Sequence, residues 1–181
     1  MPTPRRSGRV IVYTGDGKGK TTAALGLALR AVGRGMNVAV LQFLKSPERT
    51  YGEQLALRRL GIEVHQLGAG FTWTKTADVH RQALQRAWTL AKQYVHSGQY
   101  DLIVLDELNN ALAIDRFPVD DIISVEDVLE LIRTRPPSLH LVITGRSARP
   151  ELIAVADIVT EMTLVKHDYE QGEAAMKGIE F

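Results

Sequence analysis

Cysteine is absent from all 181 residues, so the chain has no disulfide, no thiolate metal ligand and no thiol redox chemistry. Any electron its chemistry consumes must come from another molecule. Long apolar runs are missing too: no segment approaches the roughly 20 apolar residues of a bilayer-spanning helix, and residues 1–9 lack the apolar stretch of a secretory signal. These absences predict a cytoplasmic protein with no membrane contact. Nor is either charge in excess, with 22 Lys plus Arg against 21 Asp plus Glu, which argues against a nucleic-acid partner. The one basic cluster, Arg5, Arg6 and Arg9 among Pro2, Pro4 and Gly8, reads as a flexible, solvated leader over residues 1–9 and is assigned no function.

What is present suits a single domain over residues 10–181: 45% hydrophobic residues suffice to bury one core of ordinary size. Apolar, β-branched runs at Val10 to Thr14, Val38 to Phe43, Ile62 to Gln66, Leu102 to Asp106, Leu139 to Thr144 and Ile158 to Leu164 alternate with segments of helical period. Because these runs are short and continuously apolar, they predict strands buried on both faces of a mainly parallel sheet covered by helices. The expected fold class is three-layer α/β.

Helix ends are readable. A helix from Lys20 to Arg34 stops at Gly35, one from Asp78 to Ser97 follows Thr76 and stops at Gly98, and Ser124 with Asp127 opens a third that ends at Arg135-Pro136-Pro137. On the second of these, Leu84, Ala87, Trp88, Ala91, Tyr94 and Val95 share one stripe, which makes Trp88 a core residue. Lys45 to Gly52 and Leu67 to Thr76 show no clear period, and long loops in α/β domains often carry function.

The strongest local signal is Thr14-Gly15-Asp16-Gly17-Lys18-Gly19-Lys20-Thr21, which follows a strand and opens a helix. Glycines let successive backbone N–H groups converge on phosphate oxygens, Lys20 adds a positive charge, and Thr21 adds a hydroxyl for Mg²⁺. The general pattern G-x-x-x-x-G-K-[ST] puts glycine at position 14, whereas this chain has Thr14 with Gly15 one step later. A second signal, Leu102-Ile103-Val104-Leu105-Asp106-Glu107, ends a buried strand in two carboxylates at the edge where the phosphate loop lies. Either they serve a metal ion, with Glu107 nearer to it and Asp106 in support, or one of them caps the following helix. Gln42, Lys45, Thr144 and Arg146 also fall just past strand ends and face the same crevice; ordinary surface pairing explains each alone as well.

The third signal is Gly68-Ala69-Gly70-Phe71-Thr72-Trp73. Exposed aromatics in an irregular segment are costly without a flat partner, so Phe71 and Trp73 either close over the core or meet a planar ligand. Composition does not decide between the two.

Taken together, Thr14 to Thr22, Gln42-Phe43-Leu44-Lys45, Gly70-Phe71-Thr72-Trp73, Leu105-Asp106-Glu107-Leu108, Ile143-Thr144-Gly145-Arg146 and Val165-Lys166-His167 resemble the ATP:corrinoid adenosyltransferase family of cobalamin synthesis and salvage. The match runs from about Val10 to Phe181. The resemblance implies a RecA-like P-loop fold, usually a homodimer, that moves the 5′-deoxyadenosyl group of ATP to Co(I) of a corrinoid and releases triphosphate. It implies ATP held by Gly15, Asp16, Gly17, Lys18, Gly19, Lys20, Thr21 and Thr22, in a reversed sense that leaves C5′ open to the corrinoid. Lys20 and Glu107 take the catalytic roles, and Thr21, Glu107 and Asp106 hold Mg²⁺. Phe71 and Trp73 press on the corrinoid and displace its lower axial ligand, and an external flavin or flavoprotein reduces the cobalt. Two departures stand out: Asp16 replaces a frequent asparagine, adding negative charge near the phosphates, and only nine residues precede the first strand, so the corrinoid site is expected to be more open. His65, His80, His96 and His140 read as structural or surface groups, while His167 matches the family and is a candidate ligand contact. A small-molecule kinase and a nucleotide-dependent switch are the alternative readings of the same phosphate loop.

Overall fold

All six predicted strands form, and every pairing is parallel: β1 (Val10–Thr14), β2 (Val38–Gln42), β3 (Glu63–Gln66), β4 (Leu102–Asp106), β5 (His140–Thr144) and β6 (Ile158–Glu161) lie in the order β3-β2-β4-β5-β1-β6. The computed structural model describes residues 7–70 and 75–180. Helices α1 (Lys20–Val32), α2 (Gly52–Arg59), α3 (Ala77–His96), α4 (Leu108–Leu112), α5 (Val125–Thr134) and α6 (Pro150–Val155) connect them.

The period-2 geometry of a strand sends successive side chains to opposite faces, and the core divides accordingly. Ile11, Val38, Val40, Leu102, Val104 and Val142 pack with Ala24, Ala28 and Ala31 of α1 and Leu57 of α2. Val10, Val12, Ala39, Leu41, Ile103, Leu105, Leu141 and Ile143 pack with α3, α4, α5 and α6 on the other face. The result is the expected three-layer, P-loop-type α/β arrangement. The small residues of α1 let that helix sit close on the strands, while Trp88 of α3, 2% exposed, fills the opposite layer as its stripe predicts.

Helix ends follow local chemistry. Ser124 and Asp127 form a reciprocal capping box at the start of α5. The helix then stops before Pro136, because proline disfavours helical geometry in the residue preceding it and Arg135 is extended. α1 ends at Val32, two residues earlier than predicted, and passes into a turn in which Gly35 N–H donates to Val32 O at 2.8 Å.

Three expectations are corrected. The last strand stops at Glu161 instead of Leu164 and is exposed along its length. It lies at the sheet edge, with β1 as its one neighbour and little packed over it. β3, at the other edge, alternates exposed and buried residues. Helices α2, α4 and α6 lie where no helical period was read; at 8, 5 and 6 residues they are too short for one to show. Beyond β6 the chain turns back across the loop after β1: Met162 N–H donates to Thr14 O at 2.8 Å, and Gly17 N–H donates to Met162 O at 2.7 Å.

Candidate active site

The loop between β1 and α1 carries the predicted phosphate-binding residues at the carboxyl edge of the sheet. Gly19 takes a φ of 116° immediately before α1, which is glycine's territory, so the first N–H groups of α1 face the loop's concavity. Lys20 folds over this loop, its Nζ donating to Gly15 O at 2.7 Å and Gly17 O at 2.6 Å. Burial, then the nearby Arg146 charge, pulls the Lys20 ammonium below its ordinary pKa, with Asp16 and Glu107 opposing. Lys20 therefore sits where an incoming polyanion would replace two neutral carbonyls as its partner. Asp16 and Lys18 on the loop and Thr22 in the first turn of α1 are exposed, and Asp16 Oδ1 lies 4.0 Å from Arg146 Nε.

Asp106, at the end of β4, is fully buried and gathers three donors. Thr21 Oγ1 donates to its Oδ1 at 2.8 Å, Thr144 Oγ1 to the same oxygen at 2.7 Å, and Gln42 Nε2 to Oδ2 at 3.1 Å. The helix-capping alternative for the two carboxylates does not hold. Asp106 accepts from side chains of α1, β5 and β2, and Glu107, although at the N-terminal boundary of α4, makes no side-chain cap. Glu107 instead adopts a left-handed backbone, φ 63°, which costs a residue with a Cβ about 1–2 kcal/mol. Its N–H donates to Thr144 Oγ1 at 2.9 Å, and its carboxyl lines the cavity over the loop. Burial first, and the Asp106 charge second, push the Glu107 pKa up to about 7, against the pull of Lys45 and Lys20.

A second ionic group flanks the loop from the β2 side. Lys45 and Glu53 form an ion pair whose side chains are 17% and 19% exposed, and Lys45 Nζ lies 4.6 Å from the centre of the Tyr51 ring. Burial pulls the Lys45 pKa down, but the hydrogen bond to Glu53 and the charges of Asp106, Glu53 and Glu107 outweigh it, so the net shift is upward. Gln42 Nε2 reaches both Asp106 and, at 3.5 Å, Glu53 Oε1.

A cavity of about 430 Å³ joins Asp16, Gly17, Lys18, Lys20, Thr21, Glu107, Thr144 and Arg146 with His167 and Glu180. A larger neighbouring space of about 670 Å³ runs from Lys18–Thr22 past Lys45 and Glu53 between α1 and α2. The loop, Glu107, Thr144 and Arg146 thus share one cavity as expected and Lys45 lines the neighbouring space, whereas Gln42, expected to face the crevice, is fully buried beneath it with Asp106. His167 also reaches the cavity, its Nδ1 accepting from Tyr169 N–H at 3.1 Å and its Nε2 4.0 Å from Glu180. Phe71 and Trp73 lie outside the described residues. Glu53 and Glu180 were not anticipated: Glu53 sits on a helix without a legible period, and Glu180 comes from a tail that reaches Lys18 at 3.1 Å only through folding.

Among the described residues no cluster of three or more His, Asp or Glu forms a ready metal cage. That suits Mg²⁺, which takes one or two protein oxygens and completes its shell with phosphate and water. Thr21 and Glu107 both line the cavity, and Asp106 accepts from the Thr21 hydroxyl, so the oxygen donors present fit such an ion.

Comparison with known proteins agrees with this geometry. Residues 6–181 match the family described as ATP:corrinoid adenosyltransferase BtuR/CobO/CobP. A corrinoid adenosyltransferase of Pseudomonas aeruginosa is 43% identical over 178 residues, covering 96% of this chain and 84% of that protein. One from a Sinorhizobium species is 39% identical, covering 96% and 80%, and the Salmonella typhimurium protein is 38% identical, covering 96% and 86%. A phosphate loop tied to a buried aspartate, set in a chain with these relatives, has one reading at the level of family: the chain belongs to the ATP:corrinoid adenosyltransferases.

Proposed function

We propose that this protein transfers the 5′-deoxyadenosyl group of ATP to Co(I) of a corrinoid in cobalamin synthesis or salvage. The observation that carries the reading is the single cavity in which Lys20, Thr21, Glu107 and Arg146 converge over the glycine-rich loop. Co(I) donates an electron pair to C5′, the cobalt–carbon bond forms as the C5′–O bond breaks, and triphosphate departs with the bonding pair. Cobalt ends as Co(III), so no protein nucleophile or base is needed. The protein's task is to place the triphosphate and stabilise the charge it gains, a task suited to loop amides and Lys20. Thr21 and Glu107, with Asp106 holding Thr21 from behind, would hold Mg²⁺, which would supply further charge neutralisation.

Phe71 and Trp73 are proposed to press on the corrinoid face, an external flavin or flavoprotein to deliver the electrons, and a homodimer in the cytoplasm to be the working form. The test is anaerobic incubation with Mg-ATP, cobalamin and a strong reductant. A light-sensitive cobalt–carbon species with inorganic triphosphate is the expected product; ADP without cobalt alkylation would instead support phosphoryl transfer or a nucleotide switch. Trp73→Ala should keep ATP binding while losing reaction that starts from Co(II).

A further inference from the structure

Lys20 is one cation facing a triphosphate that, fully ionised, carries four negative charges in ATP and five once it departs. Lys45 lines the same space as Lys18–Thr22, and its surroundings are built with more care than a surface lysine needs. It is held by the Glu53 carboxylate and by the Tyr51 ring face. Glu53 is in turn reached by Gln42 Nε2, which also donates to Asp106, and Asp106 accepts from Thr21. A continuous chain of contacts therefore runs Thr21, Asp106, Gln42, Glu53, Lys45, and both its ends face the phosphate loop's space. Within it Gln42, fully buried, leaves its Oε1 without a hydrogen-bond partner among the described residues, an arrangement that stability alone does not favour. Burying an ion pair is likewise weak support for stability, because desolvation offsets most of the attraction.

We propose that Lys45 is a second triphosphate-binding cation, held by Glu53 as a removable counter-ion and registered to the loop through Gln42 and Asp106. The inference rests on the ATP-dependent reading above. When the polyanion enters, the Lys45 ammonium exchanges the single carboxylate of Glu53 for phosphate oxygens, so it binds a partner that gains charge as C5′–O breaks. Glu53 is then a positioning residue that acts through Lys45.

Equilibrium binding of inorganic triphosphate, which needs neither corrinoid nor transfer, tests this. Lys45→Gln should weaken binding about 10- to 100-fold, the range of one charge-assisted hydrogen bond, while leaving adenosine binding unchanged. Glu53→Gln keeps the cation and removes its tether: triphosphate should bind at least as tightly as before, whereas turnover falls. A merely structural pair would weaken binding in both variants alike, and that result overturns the proposal. If Lys45→Gln folds poorly, the double variant K45Q/E53Q restores a neutral hydrogen-bonded pair and should bind triphosphate as weakly as expected for the single change. Binding within twofold of the parent, in folded Lys45→Gln or in the folded double variant, overturns it. Triphosphate binding that depends on Lys45 in a protein that alkylates no cobalt would sink the proposed reaction and leave this cation in place.

Discussion

The Thr144 hydroxyl donates to Asp106 Oδ1 at 2.7 Å and accepts from Glu107 N–H at 2.9 Å, so one side chain at the end of β5 fixes both carboxylate residues at the end of β4. Asp106 in turn accepts from Thr21, which places the first turn of α1. The loop's geometry thus depends on a residue two strands away from β4's other neighbour.

Thr144→Val keeps the shape and removes both hydrogen bonds. Two buried groups lose a partner, at about 1–3 kcal/mol each, so urea unfolding should show a loss of roughly 2–6 kcal/mol. ATP affinity should fall with it, and Thr144→Ser should restore both. A fully stable Thr144→Val protein would show that the triad of oxygens is not under this constraint.

Lys20 makes its contacts in the free protein to two loop carbonyls, which water can replace. Lys20→Ala should therefore change the melting temperature little, yet lower adenosyl transfer about 10²- to 10³-fold, the usual loss on removing one charge-stabilising group. Comparable losses of stability and activity would instead assign Lys20 to holding the loop together.

Much of this was legible in the sequence, and the exceptions share a cause. The strands at the sheet centre are continuous apolar runs, and β1 and β4 appear at their predicted limits because burial on both faces leaves an unambiguous signal. The edge strand β6 ran too long because Met162 to Leu164 are as apolar as the strand they follow, while pairing ends at Glu161. Asp106, Thr144 and Arg146 were found from strand-end logic, and Thr21 from the glycine-rich loop pattern. Glu53 and Glu180 escaped it. One is brought in by a helix of 8 residues, the other by a tail whose course over the loop is set by tertiary contacts alone.

Gly17 shows how tight that tail lies. A Cβ there would stand 2.6 Å from Thr163 O and 2.7 Å from Met162 O, both backbone atoms, and Gly17 N–H already donates to Met162 O. Gly17→Ala must push the segment after β6 away from the loop. Overpacking of this kind costs about 1–3 kcal/mol, and protease cleavage between Met162 and Glu180 should accelerate. Unchanged cleavage and ATP affinity would mean that the segment accommodates a methyl group without moving.

Glu107 offers a test that needs no ligand. Its pKa stands at about 7 in the folded protein, raised by burial and then by Asp106, against an ordinary 4.5. A carboxyl whose folded value is raised contributes its full stability below the unfolded pKa, and loses it as pH climbs through the folded one. Between pH 4.5 and 7 the parent protein should therefore lose up to about 3 kcal/mol that Glu107→Gln, uncharged throughout, retains. Urea unfolding of both proteins without ATP should give similar stabilities near pH 5 and a more stable Glu107→Gln near pH 8. Mg-ATP, whose cation is proposed to bind this carboxylate, should narrow the gap at the higher pH. A gap that runs the other way, with the variant less stable at pH 8, would mean that the ionised carboxylate is held by Lys45 and Lys20 more strongly than burial disfavours it.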